Sequence, residues 1–280
     1  MPAKQHRQRS EQAFSRIKIF RFFTEKIKSC REKALRHPTR NVLFVKKDIL
    51  FISNMLYLIH STERAMYTMS TKWDSIIFDL DGTLWDAVTN ITEIWNEGIR
   101  RESDVSAMLT EDDVRKIMGL NTREIGDALF PSLPESRRWE LMLLCGKAES
   151  NLLPQKGGIL YPELENTLKQ LKNRIPLFIV SNCDQGYIEA FLSYHQLAEY
   201  FTDFLCYGDT GKDKPENIKT MVAKHKLCSP VYLGDTEKDR QSAAAAGVDF
   251  IHAAYGYGTL KKKEKAIRSL PELLDLFELR

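Results

Sequence analysis

The sequence predicts an α/β fold, a doubly wound parallel sheet carrying an inserted all-helical cap. Three observations predict it. From residue 75 onward, short apolar runs alternate with amphipathic helical stretches. The runs are apolar throughout rather than alternating, as strands covered on both faces are. Between Asp86 and Gly157 the alternation stops, and only helix-like stretches appear.

Taken in order, residues 75–78 form the first strand. Residues 88–101 have helical spacing, with Ile91, Ile94, Trp95 and Ile99 on one broad face. Thr110 followed by Asp113 is a helix start, a hydroxyl cap with an acid three residues on. Helices continue over 123–129 and 135–153. After Gly157-Gly158 the alternation resumes. Pro162 opens a helix bearing Leu164, Leu168 and Leu171. Strands at 175–180, 202–206, 231–233 and 250–254 then alternate with helices at 187–195, 215–225 and 239–246. A helix at 272–279 closes the chain. The domain division that follows is a core of 69–86 and 158–280 with a helical cap of 87–157.

The chain has 280 residues and is 43% apolar, enough for a sizeable core. Its net charge of +3 hides an asymmetry: residues 1–68 carry +10 and the remainder −7. The first stretch therefore reads as a basic extension unlike the rest. Met66 and Met69 sit just before the first strand, so the expectation is that the functional protein begins near Met69. A basic targeting or nucleic-acid-binding arm is the rival reading. The cysteines, Cys30, Cys145, Cys183, Cys206 and Cys228, show no C-x-x-C spacing and no histidine cluster. A zinc site or disulfide framework is thereby disfavoured, and reduced thiols in a cytoplasmic protein are expected. The apolar stretch 49–59 is too short to span a bilayer and too far from residue 1 for a secretory signal.

Residues 76–86 read Ile-Ile-Phe-Asp-Leu-Asp-Gly-Thr-Leu-Trp-Asp. If the strand continued, Asp79 and Asp81 would share one side. Two carboxylates at the end of a buried strand are costly to desolvate. A bound cation and a proton-transfer role account for that cost; an ordinary strand ending in an Asp-Gly turn is the plain alternative. Other polar groups fall at later strand ends: Ser181 and Asn182, then Lys212 or Lys214, then Asp235 with Asp239. Ligands of parallel α/β sheets bind beyond the carboxyl ends of the strands, so these groups converge on one expected site.

With these motifs in this order, the chain resembles the haloacid dehalogenase-like (HAD) hydrolases, whose core is Rossmann-like, over roughly residues 74–278. The residues that carry the resemblance are Asp79-Leu-Asp-Gly-Thr-Leu-Trp-Asp86, Phe178-Ile-Val-Ser-Asn182, Gly211-Lys-Asp-Lys-Pro-Glu-Asn217 and Val231-Tyr-Leu-Gly-Asp-Thr-Glu-Lys-Asp239. The insertion just after the first motif is similar to that of the helical-cap members, such as phosphoglycolate phosphatases and β-phosphoglucomutase. The resemblance implies phosphoryl transfer through an aspartyl-phosphate on Asp79, with Asp81 as acid and then base. It implies Mg²⁺ held by Asp79, the backbone carbonyl of Asp81, and Asp235. It implies Ser181 and the Asn182 backbone amide on the phosphate oxygens, with a lysine neutralising charge. Dehalogenases of similar fold lack the second aspartate, so the presence of Asp81 favours phosphate chemistry. The family's lysine spacing favours Lys212, and Lys214 fits a second reading of the same motif.

Several roles stay open on the sequence alone. Asp239 supports the metal or caps a helix. Asp86 pins the cap hinge or sits in a solvated turn. Cys183 is read as a packing residue, His252 as a structural histidine, residues 255–258 as a mobile loop, and residues 261–263 as a solvated charge run. Trp85, Trp95, Asn96, Asn121, Arg123 and Arg138 are candidates to face the substrate, Arg123 as a contact for an anionic leaving group. The expected protein is a cytoplasmic Mg²⁺-dependent phosphatase of small phosphorylated metabolites, phosphoglycolate-like or sugar phosphates. It would have no nucleic-acid or membrane partner and be a monomer or weak dimer. A phosphomutase and a non-catalytic binding module are the alternatives.

Overall fold

The computed structural model describes residues 72–100, 102, 105 and 108–279. The expectations for residues 1–68, including the start near Met69, lie outside the described residues.

The core is one six-stranded parallel sheet. Its strands are β1 (Ser75–Phe78), β4 (Leu177–Ser181), β5 (Asp203–Cys206), β6 (Pro230–Gly234), β7 (Asp249–Ala253) and β8 (Ala266–Ile267), in the order β5-β4-β1-β6-β7-β8. β1 lies between β4 and β6, pairing Ile77 with Phe178 on one side and with Tyr232 on the other. All residues of β1, β4 and β6 are buried, which explains their unbroken apolar character. The chain order doubles back at β1, so β1, β4 and β6 direct their carboxyl ends to the switch point where ligands bind in such sheets.

Two further strands, β2 (Trp85–Asp86) and β3 (Ile159–Leu160), pair antiparallel where the chain leaves and rejoins the core. Between them lie α1 (Val88–Ile99), α2 (Glu111–Ile117), α3 (Thr122–Leu129) and α4 (Glu135–Lys156). Thr110 and Asn121 each close a capping box, with Asp113 and Glu124, so the helix start read at Thr110 is where the chain turns helical. α1 packs along α4, burying Ile91, Ile94, Trp95 and Ile99. α4 runs through Pro154 to Lys156, three residues beyond its expected end, because Pro154 falls in the last turn.

The core helices are α5 (Leu164–Lys172), α6 (Tyr187–Tyr194), the single turn α7 (Tyr207–Thr210), α8 (Lys214–His225), α9 (Glu237–Ala246) and α10 (Glu272–Leu276). They cover both faces of the sheet, as two apolar clusters flank it: a large one around Phe78, Ile179 and Leu233, and a smaller one around Ile77, Phe178, Tyr232 and Met221. The observed helix α5 starts at Leu164 rather than Pro162, because Glu163 takes a left-handed turn at φ 60. α10 ends at Leu276, short of the expected 279. Among the described residues, no helix is long and apolar enough to cross a membrane.

Candidate active site

The polar strand ends meet where the sequence places them. β1 stops at Phe78, and Gly82 then turns the chain at φ 76. Because the strand does not continue, Asp79 and Asp81 aim differently. Lys214 Nζ donates to Asp79 Oδ1 at 2.9 Å and to Asp239 Oδ1 at 2.6 Å. Asp81 Oδ1 instead accepts from Trp85 Nε1 at 2.9 Å and from Tyr187 OH at 2.8 Å. Sequence reasoning missed both of these partners; Trp85 stands four residues on from Asp81, but the Tyr187 contact exists only in three dimensions.

The preference for Lys212 is corrected. Lys212 is exposed and Lys214 is 1% exposed. The reason is local: Asn217 Nδ2 donates to the Lys212 carbonyl at 2.9 Å, tying down the turn, and Lys214 becomes the first residue of α8. From there its side chain reaches back to the end of β1.

Asp79, Asp235 and Asp239 offer carboxylate oxygens that all lie within 4.8 Å of one another, and all three side chains are buried. Asp239 does two jobs. Its Oδ2 accepts from Thr236 N and Oγ1, capping α9, while its Oδ1 holds Lys214. The loop after β7 presents Tyr257 N and Gly258 N to Asp235 Oδ2 at 2.7 and 3.2 Å. Read from sequence as mobile, that loop packs directly on the acidic cluster. Tyr257 OH also donates to Asp86 Oδ1, which accepts from Val88 N as well, so Asp86 is tied at the start of α1 rather than solvated. Glycine is required here: a Cβ on Gly256 would sit 2.2 Å from the Gly82 carbonyl oxygen, and one on Gly82 would sit 2.4 Å from Asp235 Oδ2. His252 donates to or accepts nothing from the cavity; its Nε2 lies 3.0 Å from the Asp235 carbonyl oxygen.

The electrostatics of this cluster are unbalanced. Burial, then Asp239, push Asp79 up to about 7 despite Lys214. Burial, with Asp239 and Asp79, raises Asp235 well above the carboxylate range. Burial would lower Lys214, but Asp239 and Asp79 outweigh it and hold the ammonium above its ordinary value. Burial raises Asp81 to about 6, with the Tyr187 and Trp85 hydrogen bonds opposing. Two of the three carboxylates, Asp79 and Asp239, thus pair with the Lys214 ammonium, and Asp235 beside them keeps Oδ1 buried without a hydrogen-bond partner. An oxygen-rich, anionic, partly unsatisfied donor set of this kind fits a hard divalent cation.

Ser181 ends β4 and, with Asn182, lines a cavity of about 540 Å³, its open mouth included, between core and cap. That size falls in the range of small-ligand sites. The cap is closed onto the core: Asn182 Nδ2 donates to the Gly119 carbonyl at 2.8 Å, Thr122 Oγ1 donates to Asp184, and Lys238 pairs with Glu124. Of the six cap-side candidates, only Trp95 lines this cavity. Trp85 lies beneath it, holding Asp81. Asn96 bonds the Leu109 backbone, and Asn121 caps α3. Arg123 pairs with Glu135 and its side chain is 61% exposed; Arg138 pairs with Asp127. Arg123 is therefore not in contact with the leaving-group space.

A family model described as haloacid dehalogenase-like hydrolase matches residues 76–253. A phosphoglycolate phosphatase of Vibrio vulnificus is 30% identical over 220 residues, covering 72% of this chain and 94% of that one. Among solved structures, a haloacid dehalogenase-like family hydrolase from Streptococcus pneumoniae superposes at TM-score 0.64 with 19% identity, covering 74% of this chain and 99% of that one. CbbY from Rhodobacter sphaeroides, solved with a xylulose bisphosphate, superposes at 0.60 with 18% identity, covering 72% and 96%.

Proposed function

This chain belongs to the haloacid dehalogenase-like hydrolases, and from that premise we propose that it hydrolyses small phosphomonoesters with Mg²⁺ through a phosphorylated Asp79. It is a phosphatase of that family; the metal, the intermediate and the residue roles are the proposal. The observation that carries them is the gathering of three buried carboxylates within 4.8 Å of one another, two of them paired with Lys214, with Asp235 Oδ1 left unpaired.

Asp79, the Asp81 carbonyl and Asp235 would hold the cation, with Asp239 beside them. Bound there, Mg²⁺ supplies positive charge that lets a carboxylate approach a phosphate. Asp79 attacks phosphorus as the P–O bond to the alcohol breaks, and the phosphoryl group passes to the carboxylate. Asp81 gives its proton to the departing alkoxide; burial, which keeps its proton toward neutral pH, suits it to that task. It then takes a proton from the water that cleaves the acyl-phosphate. Tyr187 and Trp85 fix the Asp81 carboxyl on the cap side, facing the leaving group. Lys214 neutralises charge at Asp79, and Ser181 Oγ with the Asn182 amide holds phosphate oxygens. The closed cap excludes water that would compete in the first step.

The test is turnover of a panel of phosphate esters with Mg²⁺ and after its removal by chelation. Turnover that needs the metal and returns with it is expected; equal turnover in chelator would refute the metal assignment.

A further inference from the structure

The walls of the cavity that receives the leaving group are chemically one-sided. Among the described residues, no lysine, arginine or histidine lines it. Its polar side chains include three carboxyls, Asp81, Glu149 and Asp184, and the amide of Asn182; apolar residues such as Ile91 and Met142 fill the rest.

Each of these four groups presents an acceptor oxygen. Glu149 projects from α4, is 8% exposed, and accepts from Trp95 Nε1 at 2.6 Å. Asp184 bonds Thr122 through Oδ1, while its Oδ2 would lie 3.2 Å from a Cβ on Gly146, across the cavity on α4. Asn182 is oriented by its bond to the Gly119 carbonyl, which leaves Oδ1 buried and without a partner. The nearby cations are committed elsewhere: Arg123 to Glu135, Arg138 to Asp127, Lys238 to Glu124 and Lys214 to Asp79 and Asp239.

From this arrangement we infer that the enzyme selects phosphomonoesters whose alcohol carries hydrogen-bond donors, hydroxyl or ammonium, and no second anionic group. The inference rests on the phosphatase reading and narrows it. An ammonium or polyol entering the cavity supplies the donor that Asn182 Oδ1 lacks and further donors to Glu149 and Asp184. A carboxylate, as on phosphoglycolate, adds an anion to a low-dielectric space beside the Asp184 carboxyl and two further acids, and among the described residues no cation lines that space to receive it. Burial and the Asp184 carboxylate push Glu149 up to about 8, the mark of acids crowded without a counterion. A buried acid of that kind costs stability, and such costs concentrate where a ligand is recognised.

The experiment compares kcat/KM for phosphoethanolamine, glycerol 2-phosphate and 2-phosphoglycolate, with p-nitrophenyl phosphate as a general reporter. Binding of the same three esters to Asp79→Asn is measured by calorimetry. We expect the ethanolamine and glycerol esters to exceed phosphoglycolate by about tenfold or more in both readouts. Assayed at about pH 9, where Glu149 is ionised, Glu149→Gln and Asp184→Asn should each narrow that ratio, mainly by improving phosphoglycolate. Phosphoglycolate matching or exceeding the other two in the wild type overturns the inference, whether or not either variant folds. So does a ratio that neither folded variant moves. If p-nitrophenyl phosphate is hydrolysed while phosphoglycolate is preferred, only the substrate class falls; if no ester is hydrolysed, the phosphatase reading falls and the inference with it.

Discussion

Replacing Glu149 by glutamine should stabilise this protein increasingly as pH rises from about 5 to about 8. Glu149 is buried against Trp95, and burial with the Asp184 carboxylate takes it from an ordinary 4.5 to about 8. In the unfolded chain the same carboxyl ionises near its ordinary value. Between the two values the folded protein holds a proton the unfolded chain has lost, so stability falls as pH rises through that window. The gap corresponds to roughly 5 kcal/mol, an upper figure given how such environments relax. Glutamine keeps the carbonyl acceptor for Trp95 and cannot ionise, so it escapes this loss. The assay is urea unfolding of both proteins, followed by tryptophan fluorescence, in steps from about pH 5 to about pH 9. Other titrating groups are common to both proteins and cancel in the difference. At about pH 5, where Glu149 is largely protonated, the two should agree within about 1 kcal/mol. By about pH 9 the variant should be more stable by roughly 3 kcal/mol. A difference that stays flat across the range would refute the reasoning, because it would mean Glu149 ionises as readily folded as unfolded.

Two further outcomes follow from the site. Lys214→Ala should lower kcat by about a hundredfold or more, since it removes the ammonium paired with Asp79, whereas Lys212→Ala should stay within about twofold of wild type in the same steady-state assay. Gly256→Ala should cost about 1–3 kcal/mol in thermal unfolding and weaken Mg²⁺ binding by calorimetry, because its methyl group collides with the Gly82 carbonyl and with Asp235.

Much of the fold was legible because its signals are local. β1, β4 and β6 are buried on both faces, so their sequences are apolar without a break, and the capping box at Thr110 is written within four residues. The aspartates could be gathered from distant stretches because parallel strands bring their carboxyl ends together. What stayed hidden depends on tertiary contacts or on backbone groups. β2, β3 and β8 are two residues long, too short for any periodicity. Lys212 and Lys214 differ by two positions, and only the turn held by Asn217 decides which one faces inward. The loop at 255–258 grips Asp235 through peptide N–H groups, which every sequence offers. Tyr187 and Glu149 carry no motif; one is the first residue of a core helix and the other a late turn of α4, and they reach the cavity only because the cap closes.

The central claim is that Asp79, held by Lys214 beside Asp235, is the atom-transfer partner of phosphorus. It is tested most directly by acid-quenching the enzyme during turnover of a ³²P-labelled ester with Mg²⁺ and mapping the protein-bound label. The account predicts label on the peptide containing Asp79, lost in Asp79→Asn. Label on Ser181, or full turnover by Asp79→Asn, would contradict it.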